Sequence, residues 1–452
     1  MNFVFERYRF RDEDHGENMV KCTDVNYSTI KRFSTSPFSS MLIRHARTFE
    51  NFDNYDLSQV KHSLKPDDFD QYIIATSVNH HPYDWCGPDQ FNIGHRNDRP
   101  NVENLFWHLN EKYLHDLRIG KAFLLLDQCH EGYQTDWLWD WFHNSCHEYS
   151  VNPRQIIFLT GNMRVEEDYE EWCKEKNPYF RIKPIPYPTF EAMICLAARN
   201  KGLKTLPSFY DHVTYKKMWP ERIKAYNLLQ KRPRAHRMWM FKEIVNNGLL
   251  EHGINSMNPL DYNNTYFEGK LMDPKDYATC SRYLPMLPPN VPYNPLEVEE
   301  FGHEDSGKYQ LFFNEKVCLD SYMSVISEAS FGDSERTCFI SEKTFKPIAC
   351  YHPFIVFGNK HSLAVLREMG YKTFHPFIDE SYDSKSSWQR LSAITEAIWK
   401  VKSIPVDQRL DWYLGMEEIL EHNYNKLKCA KLSAPQAVLI LDQYLKDMKN
   451  VP

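Results

Sequence analysis

The sequence predicts an α/β protein: two Rossmann-like units, each on a parallel sheet, facing each other across a cleft and followed by C-terminal helices. Three observations predict this. Short β-rich apolar runs alternate with helical patterns, which marks βαβ units. The runs end in polar residues, as strands do where open α/β sheets bind ligands. The alternation also occurs twice, on either side of an extended stretch near residues 205–220.

In chain order, residues 1–60 are polar and aromatic without periodicity and stay unplaced. Strands are expected at Tyr72–Ser77 (YIIATS), Ala122–Asp127 (AFLLLD) and Gln155–Thr160 (QIIFLT), with helices at Asn101–Leu117 and Asp136–Tyr149 between them. Lys183–Pro188 (KPIPYP) cannot continue a helix and runs extended. A second series begins at Tyr226–Gln230 (YNLLQ) and continues through Ser321–Ser330, Pro353–Phe357 and Tyr371–Phe374, interrupted by an irregular Pro-rich insertion at 258–296. Amphipathic helices are expected at Ser386–Val401, Asp407–Lys426 and Ala434–Lys449. The expected units are 61–215 and 216–430, with 431–452 a C-terminal helix.

Composition narrows the function classes. The 452 residues hold 54 Lys+Arg against 61 Asp+Glu, a net charge of −7, so a dedicated nucleic-acid binder is disfavoured. A hydrophobic content of 42% supplies a core. The 11 cysteines include no C-x-x-C pair, which excludes zinc-finger spacing and a dense disulfide framework. The N-terminus lacks the charged-then-apolar form of a signal peptide, and no apolar run approaches the ~20 residues of a membrane span. A reduced, cytoplasmic protein is the expectation. Neither G-x-x-x-x-G-K-[ST] nor G-x-S-x-G occurs.

Three segments carry candidate chemistry. In Ser327–Gly358 a strand ends at Glu328–Ser330 and a helix opens at Ser341, with Glu342 and Lys343 in its first turn. A cation there is misplaced for the helix dipole unless an anion joins it; an ordinary surface Ser-Glu-Lys is the plain alternative. Lys231-Arg232-Pro233-Arg234-Ala235-His236-Arg237 follows YNLLQ and suits a multiply charged anion, because guanidinium groups grip phosphate oxygens bidentately. The alternatives are a solvated basic face, a nucleic-acid patch and, for His236, a packed core position. In Leu126–Tyr133, Glu131 is a candidate general base and Asp127 orients the loop, or both acids are structural. Asp136, Asp140, His143 and His147 fit a polar helix face better than a metal site.

Ser327–Gly358 resembles the donor-binding region of GT-B glycosyltransferases related to family-10 fucosyltransferases. That pattern is F-x-E-N-S, a spacer, Y-[IV]-T-E-K-[LF] and a V-P-V-V-x-G-like strand. Here Glu328-Ala329-Ser330, then Phe339-Ile340-Ser341-Glu342-Lys343-Thr344-Phe345, then Pro353–Gly358 follow that order. The S-E-K-T-F-K-P wording is also similar to phage-encoded sugar transferases. R-x-R-x-H-R resembles their N-R-x-x-R-x-H-R, with Gln230-Lys231 where their Asn-Arg stands. The resemblance implies a metal-independent, inverting transferase with a nucleotide-sugar donor as substrate, no separate cofactor, and a glycan or other hydroxyl acceptor bound by the first unit. It implies that Lys343 binds the donor diphosphate and that Glu342 contacts the ribose or base. Glu328, Ser330, Phe339 and Ser341 would line the donor site, Arg232, Arg234 and Arg237 would form a second phosphate grip, and Glu131 would be the base. Ala329 and Phe339 replace the family's Asn and Tyr, so neither guanine nor fucose is implied. A phage-encoded member would act in the host cytoplasm. The rivals are a nucleic-acid-binding protein or DNA-modifying sugar transferase using 231–237, and a non-catalytic module of the same fold.

Overall fold

A computed structural model describes residues 2–4, 61–63, 66–77, 105–106, 109, 111–129, 132, 137–191, 194–195, 222–230, 234–257, 265–283, 315–429 and 433–449. By internal contacts the chain divides into Met1–Thr189 with Ser433–Pro452, and Phe190–Leu432.

In the first unit, β1 (Asn2–Val4), β2 (Lys61–Ser63), β3 (Tyr72–Ser77), β4 (Ala122–Gln128), β5 (Ile156–Thr160) and β6 (Lys183–Pro186) form one parallel sheet in the order β2-β1-β3-β4-β5-β6. Every residue of β4 is buried, as expected of a central parallel strand covered on both faces. KPIP becomes β6, an edge strand that tolerates two prolines because an edge leaves ladder donors unused. β1 arises within the stretch the sequence left unplaced; three residues are too few to show a period.

Helices α1 (Glu111–Arg118), α2 (Leu138–Glu148) and α3 (Val165–Lys176) supply core residues against this sheet. Trp139 sits at the centre of that core. Its ring lies 4.5 Å from that of Tyr169 and 5.7 Å from that of Phe158, and its indole N–H donates to Asp168 Oδ2 at 2.6 Å. The C-terminal helix, Ser433–Lys449, belongs to this unit: Tyr444 packs edge-on to Phe123 and donates to the Arg154 carbonyl at 2.7 Å.

The second unit has a parallel sheet of β7 (Tyr226–Leu229), β8 (Gly253–Ser256), β9 (Ser324–Gly332) and β10 (Phe354–Asn359), ordered β10-β9-β7-β8. Its described helices are α4 (Ala235–Asn246), α5 (Pro274–Tyr283), α6 (Glu315–Leu319), α7 (Glu342–Ala349), α8 (Ser362–Glu368), α9 (Ser387–Ser403), α10 (Arg409–Leu414) and α11 (Glu417–Cys429). The C-terminal helix of the first unit is α12. The α/β class and the two parallel sheets are those the sequence predicts.

Three expectations are corrected. Tyr371–Phe374 is not a strand, because its backbone is paired with side chains: Lys372 N donates to Asn423 Oδ1 at 2.7 Å, Asn423 Nδ2 returns a bond to the Lys372 carbonyl at 2.8 Å, and Phe374 N donates to Glu380. The helix expected over Asp407–Lys426 is broken at Gly415, where a Cβ would meet the Phe377 ring at 2.7 Å. The insertion at 258–296 carries a regular helix, α5. Among the described residues, no helix is long and apolar enough to cross a membrane.

Candidate functional site

In the second sheet the chain places β8 on one side of β7 and then crosses to place β9 and β10 on the other. Such a reversal opens a crevice beyond the carboxyl ends of the two strands flanking it. Both basic motifs of this half lead there, α4 following β7 and α7 following β9.

Glu328, fully buried in the middle of β9 just past the Ser327–Phe357 pair, joins them. Its Oε1 accepts from Ser341 N at 3.0 Å and Thr344 Oγ1 at 2.7 Å, and its Oε2 accepts from the Ser341 hydroxyl and from Ala329 N at 3.2 Å. Ser341 is the N-cap of α7, extended at φ −94 and ψ −179, and its hydroxyl accepts from Lys343 N at 3.3 Å. The backbone donors that the sequence left open for a phosphate therefore meet the chain's own carboxylate and cap. An internal anion already complements the α7 dipole.

The charges on α7 remain in excess of that arrangement. Lys343 donates to Glu342 Oε1 at 2.6 Å and lies 3.4 Å from Ser341 Oγ, with its side chain 29% exposed. Lys346, one turn on, is half-buried, and burial lowers its ammonium to about 8 against the opposing pull of Glu342. Burial works to raise the Glu342 carboxyl, but Lys343 and Lys346 together hold it below the ordinary range. One amine thus pairs with the Glu342 carboxylate directly and a second acts on it through space. Lys346 was not singled out from the sequence; its signal was the i, i+4 spacing from Glu342.

From the other side, α4 grips the backbone of the same strand. Arg237 Nη2 donates to the Ser327 carbonyl at 3.1 Å and the Glu328 carbonyl at 3.0 Å, His236 Nε2 meets the Glu328 carbonyl at 3.0 Å, and Arg234 donates to the Ala329 carbonyl. Arg237 and His236 are buried, whereas Arg234 is exposed at the N-cap of α4. Burial, then Arg237, depresses the His236 imidazole well below its ordinary value, so it is neutral; its ring stacks on Phe331 at 5.2 Å. His236 thus takes the packed core position. Among the described residues, neither a side-chain cap nor a first-turn carboxylate occupies the α4 N-terminus.

The structure thus brings together Arg234, Arg237, Glu328, Ser341, Glu342 and Lys343. Ser330 lies half-buried on β9 beside them. Phe339 packs into apolar surroundings, 5.8 Å from the Phe190 ring, and its N–H donates to Asn359 Oδ1 at 3.3 Å. Arg232 lies outside the described residues. Sequence reasoning also missed Arg390, almost fully buried, which donates to the Gly358 carbonyl at 2.5 Å, the Gly332 carbonyl at 3.2 Å and Asp333 Oδ1 at 2.6 Å. It ties the carboxyl ends of β9 and β10 together, a task that no local pattern announces.

In the first unit, Asp127 is buried at the end of β4 and its Oδ1 accepts from Cys129 N at 3.0 Å, shaping the loop that follows. Burial, reinforced by Asp127, pushes the Cys129 thiol well up. Glu131 lies outside the described residues. His143 stacks on Trp172 at 4.5 Å, and burial lowers its imidazole to about 4. Among the described residues no group of three His, Cys, Asp or Glu is placed to hold a metal ion.

No family model matches the chain, and no curated protein matches it. Solved structures with a partial likeness are an α,α-trehalose-phosphate synthase (UDP-forming) from Burkholderia vietnamiensis and the N-terminal domain of Candida albicans trehalose-6-phosphate phosphatase. The first has a TM-score of 0.40 and 10% identity, covering 86% of this chain and 75% of the other. The second has a TM-score of 0.39 and 8% identity, covering 95% and 77%. An E. coli structure described as trehalose-6-phosphate bound with UDP-2-fluoro glucose follows at 0.34 and 10%, covering 85% and 74%.

Proposed function

We propose that this chain is a glycosyltransferase of GT-B type that moves a sugar from a nucleoside-diphosphate donor to an acceptor hydroxyl. The observation that carries this reading is the meeting of two basic helix starts on Ser327–Ala329, at the carboxyl ends of a reversing parallel sheet. Donor diphosphate would lie between Lys343 on α7 and Arg234 at the uncapped start of α4, where fixed cations and a helix dipole stabilise leaving-group charge.

In the reaction, the anomeric carbon–oxygen bond breaks and its electron pair leaves with the diphosphate. The acceptor oxygen bonds to that carbon, and a base takes the hydroxyl proton. Glu131 is the proposed base, and attack from the opposite face inverts the anomeric configuration. Because the cations reside in the chain, transfer proceeds without an added divalent ion. The cytoplasm is the proposed compartment. A nucleic-acid reading is less favoured, because His236 and Arg237 of the basic segment are turned inward onto β9.

The test is calorimetric titration of the full chain with pyrophosphate, nucleoside diphosphates and nucleotide sugars. Binding that Lys343→Ala weakens by tenfold or more supports the donor site; absence of binding by every diphosphate overturns it. Undiminished transfer in a chelator is expected, and a product of retained configuration by NMR would refute inversion.

A further inference from the structure

Among the described residues, two neutral side chains at the same end of the second sheet have no hydrogen-bond partner. Gln230, directly after β7, and Ser327, in β9, are 3% and 2% exposed, and neither the Gln230 amide oxygen and nitrogen nor the Ser327 hydroxyl is bonded. Asn227 of β7 pairs in parallel with Ser324 of β9. Beyond that pair the two neighbouring strands run on in the same direction, β7 to Leu229 with Gln230 directly after it and β9 through Ser327, so both side chains lie toward the carboxyl ends of adjacent strands. Their backbones are occupied: Gln230 N donates to the Ser256 carbonyl at 2.9 Å, Ser327 is paired with Phe357, and the Ser327 carbonyl accepts from Arg237. The side-chain atoms are unanswered among the described residues, in a place where buried polar groups ordinarily have partners.

The kind of partner follows from the atoms. The amide oxygen accepts, the amide nitrogen donates, and the hydroxyl does either. A phosphate oxygen only accepts, so it would leave the amide oxygen facing an anion. Adjacent hydroxyl groups answer all three atoms: one donates to Gln230 Oε1, and its neighbour accepts from Gln230 Nε2 while exchanging a bond with Ser327 Oγ. We propose that Gln230 and Ser327 form a neutral subsite for a vicinal diol of the donor, from its ribose or from the sugar to be transferred. This rests on the donor-site reading above and divides the site into a charged part for the diphosphate and a neutral part for a sugar ring.

Calorimetry of the full chain tests it with pyrophosphate, UDP and GDP, their 2′-deoxy forms, and UDP- and GDP-sugars, comparing wild type with Gln230→Met. If the ribose supplies the diol, the ribonucleotide binds about tenfold tighter than its deoxy form. If the transferred sugar supplies it, the nucleotide sugar binds about tenfold tighter than the bare diphosphate. In either case Gln230→Met abolishes the ratio and leaves pyrophosphate affinity unchanged. Thermal denaturation of Gln230→Met and Ser327→Ala is expected to show no loss of stability, because each removes an unpartnered buried group. Ratios that survive Gln230→Met would mean the pair holds only water and would overturn the subsite. Failure of pyrophosphate and every nucleotide to bind would instead bring down the donor-site reading, and the subsite with it.

Discussion

At the residue scale, Glu328 and Lys343 differ in how far the fold takes up their charge. Glu328 is buried and accepts from the backbone of Ser341 and Ala329 and from the hydroxyls of Ser341 and Thr344. Glu328→Ala strands those donors, so urea denaturation is expected to show a loss of about 3 kcal/mol. Lys343, partly exposed and paired among the described residues only with Glu342 and Ser341, should tolerate replacement by Met within about 0.5 kcal/mol of stability. Titration is also local. His236 and His143 are held neutral in the folded chain by burial, His143 down to about 4. The unfolded chain takes up protons on these imidazoles once pH falls below the ordinary 6.5, so their contribution is intact above that pH and is lost as pH falls toward 4. Thermal melts between pH 7 and 4 should show a declining midpoint, and His143→Phe should flatten the decline. A steeper decline in the variant would contradict the assignment.

At the element scale, the carboxyl ends of β9 and β10 are held by groups distant in sequence. Gly358 lies against Glu328: a Cβ there would fall 3.1 Å from Glu328 Cβ and 3.2 Å from its Cγ. Gly358→Ala must therefore displace the carboxylate that seats α7, with an expected cost of about 1–2 kcal/mol by chemical denaturation. Arg390→Met removes the cation spanning Gly332, Gly358 and Asp333 and is expected to cost about 3 kcal/mol on the same measurement. Legibility varied with element length and pattern. β4 and β5 were readable because long apolar runs bounded by polar residues admit few alternatives. β8, at four residues, was not readable, and Tyr371–Phe374 misled because a short apolar run looks the same whether its backbone joins a ladder or meets side chains.

At the scale of the whole molecule, the two units give a bound diphosphate a distinguishable signature. A ligand present at 100 times its dissociation constant stabilises the folded state by about 2.7 kcal/mol. Hydrogen exchange should report that protection in Ala235–Asn246 and Glu342–Ala349 and leave Leu138–Glu148 of the first unit unchanged; equal protection throughout would refute a site local to the second unit. The alternation of apolar runs and helical patterns determined by itself the α/β class, the two parallel sheets and the placing of both basic motifs just beyond strand ends, because strand and helix periods are local properties. Which charges are taken up by the fold and which stay partly exposed was decided only by tertiary structure. Arg237 is held inward by a strand 90 positions away and Glu328 is enclosed by donors 13 and 16 residues later, and no local spacing encodes such partners.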